Sequence, residues 1–125
     1  MSMKRNVLKE KSFLFAVRVV NLYKYLSEEK NEFILSKQLI RSGTSVASLI
    51  RESVNAESKL DFIHKLSIAQ KECDETVYWL ELLKETKYLT QSQYESLVTD
   101  LIELLKIIRS FILTTKQNLT KIHNS

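Results

Sequence analysis

Proline is missing from these 125 residues and glycine occurs once, at Gly43. Sandwiches and barrels built from short strands need such residues at their turns, so this scarcity excludes a turn-rich β fold and favours long helices. The single cysteine, Cys73, leaves no internal disulfide and no CxxC pair for a metal or redox centre, which suits a reducing cytoplasm. Histidine is almost as rare, with only His64 and His123. Asp61 and His64 make one acidic-x-x-His spacing, but di-iron bundles need two such pairs with further inward carboxylates, and the second pair does not exist. No metal or cofactor is expected.

Other motifs are missing too. The chain contains no GxxxxGK, GxGxxG, HExxH or GxSxG, and one glycine cannot build a phosphate-cradling loop. Ser45 and Ser48, close to Gly43, have no base at a fixed spacing and read as small packing residues. No catalytic residue is expected, and the chain does not read as an enzyme. The longest apolar run, Phe13 to Val20, is interrupted by Arg18 and followed by Asn21 and Lys24. That is too short and too charged for a signal peptide or membrane span, which predicts a soluble, cytoplasmic protein without membrane contact.

What is present is ordinary for a globular chain: 44% apolar and 27% charged residues, enough for one core. We expect residues 1–125 to form a single all-α domain with a short basic N-terminal segment and a frayed tail from Gln117 to Ser125. The first helix runs from about Val7 or Ser12 to Ser27 and carries two apolar stripes. Phe15, Val19, Leu22 and Leu26 make one, with Phe13, Val17 and Val20 beside it. The polar strip left over, Lys11, Arg18, Asn21, Lys24 and Glu28, is narrow. Either the helix lies deep in its own bundle or the second stripe meets another subunit.

Glu28 to Asn31 leaves room only for a tight connection, so the first two helices are antiparallel neighbours. Leu35, Leu39, Val46, Ile50 and Val54 then recur at helical spacing, with Ile40 and Ala47 alongside. Ser42, Gly43, Thr44 and Ser45 put small side chains into the middle of that stripe. Glycine inside a helix costs about 1 kcal/mol relative to alanine, so its retention points to a close helix approach assisted by Ser42 and Ala47. The other reading is that Gly43 ends one helix and Thr44 or Ser45 caps the next. Under the packing reading Gly43→Leu should overpack, whereas Gly43→Ala should be mild or stabilising.

Ser58, with Asp61 three residues on, resembles a capping box that opens the third helix. Its core stripe is Phe62, Leu66, Ala69, Cys73, Val77 and Leu80, while Ile68, Trp79 and Leu82 lie to another side. Thr86 to Ser92 breaks the pattern, and Thr90 or Ser92 can cap a last helix running to about Thr115 or Lys121. Tyr94, Leu97, Val98, Leu101, Leu104, Leu105, Ile108, Phe111 and Ile112 form its buried face. Four helices with short links make an antiparallel up-down-up-down four-helix bundle.

From about Lys11 to Lys116, the chain resembles a family of small bacterial four-helix bundles, the 23S rRNA intervening-sequence proteins. The resemblance rests on Gln38, Leu39, Arg41, Ser45 and Ile50 in the second helix and on Phe62, Leu66, Ile68, Ala69 and Glu75 in the third. Members of that family commonly continue the second helix with Asn-Ile-Ala-Glu-Gly and an Arg-containing turn. Here Leu49, Ile50, Arg51, Glu52 and Ser53 lead into Val54, Asn55 and Ala56, without the glycine. The family is similar to the accessory variability determinant of diversity-generating retroelements, a pentameric bundle that binds nucleic acid and a reverse transcriptase. The resemblance therefore implies a non-enzymatic homo-oligomer, preferably a homopentamer.

The topology also sorts the charges. An up-down-up-down bundle places the N-terminus, the turn between the second and third helices, and the C-terminus at one end. Lys4, Arg5, Lys9, Lys11, Arg51, Lys59, Lys65, Lys116 and Lys121 gather there against Glu10, Glu52, Glu57 and Asp61. At the other end Lys24, Lys30, Lys37, Lys84 and Lys87 meet Glu28, Glu29, Glu32, Glu81, Glu85 and Glu95. A net charge of +4 and a pI near 9.2 support a solvated surface as readily as a polyanion site, but the clustering favours phosphate-backbone contact with RNA or DNA. No base-reading motif is present. The competing class is a protein-interaction scaffold or accessory subunit, for example of a reverse transcriptase, with no direct nucleic-acid role.

Overall fold

Helices α1 (Met3–Glu28), α2 (Leu35–Val54), α3 (Lys59–Glu85) and α4 (Gln91–Asn124) make up nearly all of the chain. The structure is a computed structural model that describes residues 3–124, with side chains from Met3 to Lys121. Each helix packs on its neighbours in the order α1, α2, α3, α4 and back to α1. Paired contacts set their directions. Gly43 meets Val19 and Arg51 meets Phe13 between α1 and α2; Ser42 meets Thr76 and Glu52 meets Lys65 between α2 and α3. Phe62 meets Phe111 and Lys84 meets Tyr94 between α3 and α4, while Lys11 meets Glu103 and Arg18 meets Asp100 between α1 and α4. Numbers rise along one helix as they fall along the next, so every neighbouring pair is antiparallel and the up-down-up-down bundle holds.

The core is the inner stripe of each helix. Phe15, Val19 and Leu26 of α1, Leu39, Val46 and Ile50 of α2, Leu66, Ala69, Cys73 and Leu80 of α3, and Leu101, Leu104 and Ile108 of α4 are all buried. Burying a side chain of this size stabilises the fold by about 1.5 to 3 kcal/mol. The α1–α4 seam also has polar ties at its edge: Lys11 to Glu103, and Arg18 to Asp100 at 2.6 Å and to the Ser96 hydroxyl at 2.9 Å.

The helix ends show why the chain turns without glycine or proline. Ser58 accepts a hydrogen bond from the Asp61 N–H at 3.0 Å, and the Asp61 carboxylate accepts from the Glu57 N–H, completing the expected cap of α3. Thr90, not Ser92, caps α4: its hydroxyl accepts from the Gln93 N–H while the Gln93 side chain accepts from the Thr90 N–H. Helix α2 is capped from outside itself. The Glu32 carboxylate accepts from the N–H groups of Ile34, Leu35 and Ser36, the last at 2.7 Å, and Glu32 is buried in doing so. Asn31 (φ 53°) and Lys87 (φ 72°) take the left-handed conformation that ends α1 and α3.

Several expectations are corrected. Helix α1 begins at Met3, earlier than Val7 or Ser12, and adds Leu8 and Ser12 to the core. Its second stripe is not buried within the bundle: Phe13 and Val17 are exposed and Val20 half-buried. The connection after α1 extends to Ile34, because Glu32 must fold back onto the start of α2. On α3 the fully buried position is Thr76, while Val77 is half-buried. Thr76 tolerates burial because its hydroxyl lies 2.7 Å from the Glu72 carbonyl and 2.9 Å from the Ser42 hydroxyl of α2. Ile68, Trp79 and Leu82 are half-buried, and the Trp79 ring N–H donates to Glu75. On α4 the buried face narrows to Leu97, Leu101, Leu104, Leu105 and Ile108, with Tyr94, Val98, Phe111 and Ile112 half-buried. The helix itself continues to Asn124, past the expected end. Among the described residues, no helix is long and apolar enough to cross a membrane.

Candidate nucleic-acid interface

The basic residues singled out above come from three chain segments, and the antiparallel order brings those segments to one end. Arg5 leans over the Phe62 ring, 4.3 Å from its centroid, and Phe62 in turn meets Phe111 edge-on at 6.0 Å. Arg5 is thus engaged in packing the end of the bundle as well as charging it. A shallow depression of about 250 Å³ lies between Arg5, Lys59, Ser53, Thr115 and Asn118. Lys59 is exposed at its edge, one residue after the Ser58 cap.

Around the side of the same end, Lys9, Phe13 and Arg51 line two adjoining grooves between α1 and α2. The Arg51 guanidinium lies 5.8 Å from the centroid of the exposed Phe13 ring, and half-buried Ala47 forms part of the groove wall. Glu10 and Glu52 line these grooves too and lower their positive charge. Two of the expected rim residues are compensated: Lys11 is tied to Glu103 on the α1–α4 seam, and Lys65 lies 4.0 Å from Glu52.

Lys4, Lys116 and Lys121 are exposed. Phe111 lies opposite Phe62, near the start of α3, and the following turns of α4 still pack on this end, with Thr115 buried, Asn118 lining the depression beside Arg5 and Leu119 half-buried. Lys116 and Lys121 lie on these last turns of α4.

The remaining candidates have structural environments. Gly43 lies inside α2 against Val19, and Ser42 is buried beside Thr76, so the small stretch packs α2 closely on both neighbours; the helix-ending reading of Gly43 is overturned. Cys73 is buried, and burial, helped by nearby Asp74, pushes its thiol up to about 12, which keeps it protonated and unreactive at neutral pH. His64 is exposed on α3, and the described residues contain no group of three or more potential metal ligands. The His123 side chain lies outside the described residues.

The residues that carry the family resemblance form a packing seam. Leu39, Ile50, Phe62, Leu66 and Ala69 are buried, and Arg41 of α2 pairs with Glu72 at 3.2 Å and with Glu75. Residues 4–110 match the model of the 23S rRNA-intervening sequence protein family. No curated protein matches the chain. Among solved structures, the chain is similar to a protein of unknown function from the S23 ribosomal protein family of Bacteroides thetaiotaomicron. The identity is 56%, covering 88% of this chain and 98% of that one, with a TM-score of 0.86. With the family model spanning α1 to most of α4, and its resemblance residues forming the seam that holds α2 on α3, the chain belongs to the 23S rRNA-intervening sequence protein family.

Proposed function

We propose that the protein is a non-enzymatic, oligomeric binder of nucleic-acid backbone, acting in the reducing cytoplasm. The observation that carries this reading is the convergence of Arg5, Lys59, Lys9 and Arg51 at one end of the bundle, extended by the exposed Lys116 and Lys121 on the last turns of α4. Lys4, exposed on the first turn of α1, adds to that charge. The contacts are cationic side chains without a base-reading motif, so RNA and DNA should both bind with little sequence preference.

The outer face of α1 supports assembly. Val7, Leu14 and Val17 are 39%, 63% and 41% exposed on its outer face, and a second copy would remove that apolar surface from water. A ring, with five copies as the preferred number, repeats the basic end around one rim. A polyanion touching several ends together would then bind more tightly than any single end allows.

The test is fluorescence anisotropy with a labelled RNA hairpin and a duplex DNA across a salt series. Binding should weaken steeply with salt. Lys59→Glu with Lys121→Glu should abolish it, whereas Lys24→Glu with Lys37→Glu at the far end should leave most of it. Absence of binding at low salt, or equal loss in both variants, would remove this function and leave the protein-interaction scaffold in its place.

A further inference from the structure

The end expected to have mixed charge contains a second feature. There the connections 29–34 and 86–90 meet the start of α4 around a groove of about 510 Å³, the size of a small-molecule site. Its lining includes Tyr25, Lys30, Lys87, Tyr88, Gln91 and Gln93. Lys84 and Glu85 also line it and lie 3.2 Å apart, cancelling one another. Glu32, which the sequence places among the acids of this end, is turned inward to cap α2. Among the described residues neither Lys30 nor Lys87 forms an ion pair, while the Glu95 carboxylate stands at the groove's edge on the Gln91 amide.

Lys87 is the more telling of the two. It holds the left-handed conformation at φ 72°, which a residue with a β-carbon adopts at a cost and glycine adopts freely. After α1 the chain meets the same need with Asn31, whose side chain suits it. A lysine kept where the backbone disfavours it points to a use for its ammonium group. Tyr25 is 42% exposed, and the Lys30 ammonium lies over its ring, 5.7 Å from the centroid. The polar fittings are also in place. Gln93 spends its carbonyl oxygen on the Thr90 N–H and retains its amide donors; Gln91 spends an amide donor on Glu95 and retains its oxygen. A donor, an acceptor and an aromatic ring lining one groove are the groups that recognise a nucleobase, and two ammonium groups in the same lining suit a phosphate.

We propose that this groove binds a nucleoside monophosphate, with the base on Tyr25 and the phosphate between Lys30 and Lys87. The same chemistry is presented by a free nucleotide and by the 5′-phosphorylated end of an RNA strand.

Isothermal titration of the full chain with AMP, adenosine and inorganic phosphate tests the proposal. AMP should bind at least tenfold more tightly than either fragment. Lys87→Gly should weaken AMP at least fivefold while raising the melting temperature, because glycine relieves the backbone; Tyr25→Ala should weaken AMP and leave phosphate unchanged. Lys59→Glu with Lys121→Glu should leave AMP binding intact, which separates this groove from the basic rim. A 5′-phosphorylated RNA tetranucleotide that outcompetes AMP tenfold, with the same dependence on Lys87, assigns the strand end as ligand; otherwise the free nucleotide is assigned. The proposal fails if AMP binds no better than phosphate or if Lys87→Gly retains full affinity.

Discussion

Gly43 of α2 lies so close to Val19 of α1 that a β-carbon built on it would sit 2.9 Å from both γ-carbons of the valine. Val19 is fully buried and, being β-branched on a helix, has few rotamers into which it can withdraw. The sequence-based expectation that Gly43→Ala would be mild is therefore reversed. The gain in helix propensity, about 1 kcal/mol, is outweighed by an overpacking cost of roughly 1 to 3 kcal/mol, and Gly43→Leu costs more. Urea unfolding should show this, and in a Val19→Ala background the same Gly43→Ala change should become neutral or stabilising, because the new methyl enters vacated space. Additive effects of the two substitutions would contradict the contact.

Glu32 gives a pH signature. Burial raises its carboxyl pKa, but the N–H groups of Ser36, Leu35 and Ile34 outweigh that and leave it lowered. A depressed folded value means that the cap stabilises fully above the ordinary glutamate value of about 4.3 and loses its effect as pH falls through the folded value. Glu32→Ala should cost about 1 kcal/mol at pH 7, as loss of a helix cap does. Thermal melts followed by circular dichroism should show the wild type and the variant converging as pH falls from the ordinary glutamate value through the lower folded one.

The thiol of Cys73 reports on opening of the core. With its pKa raised to about 12 by burial, it should be inert to a disulfide reagent at pH 8 in the native state and react fully in denaturant. The sign is opposite to that of Glu32: this group favours folding below the ordinary thiol value of about 8.5, and the contribution falls as pH rises towards 12. Fast native labelling would show that the α3 core opens locally.

Assembly can be tested without touching the core. Leu14 and Val17 are exposed on α1, so Leu14→Glu with Val17→Glu should change stability by about half a kcal/mol or less and dissociate the oligomer. Light scattering on a size-exclusion column at micromolar concentration distinguishes the outcomes. A monomeric wild type would remove oligomerisation from the proposed function and leave the basic end to act singly.

How much was legible follows from where the information lies. Periodicity placed the core stripes of all four helices, since a residue such as Leu39 or Ile108 repeats along one face whatever its partner. Local capping chemistry at Ser58 was equally readable, because the cap and its N–H are three residues apart. Glu32 was not, since a carboxylate capping a helix from a preceding loop has no fixed spacing from the stripe it serves. Thr76 displaced Val77 because a polar residue can be buried once another helix supplies a partner, here Ser42.

Composition and pattern alone determined an all-α chain, four amphipathic segments with short links, and the end of the bundle that collects lysine and arginine. Those properties are local, or follow from chain order once helices are antiparallel. Only the tertiary structure decided that Gly43 serves Val19, and that Lys11 and Lys65 face carboxylates while, among the described residues, Lys59 and Lys121 form no ion pair. The same holds for the groove that joins Tyr25, Lys30 and Lys87. Each depends on distances between residues far apart in the chain, and such distances exist only once the helices have taken their register against one another.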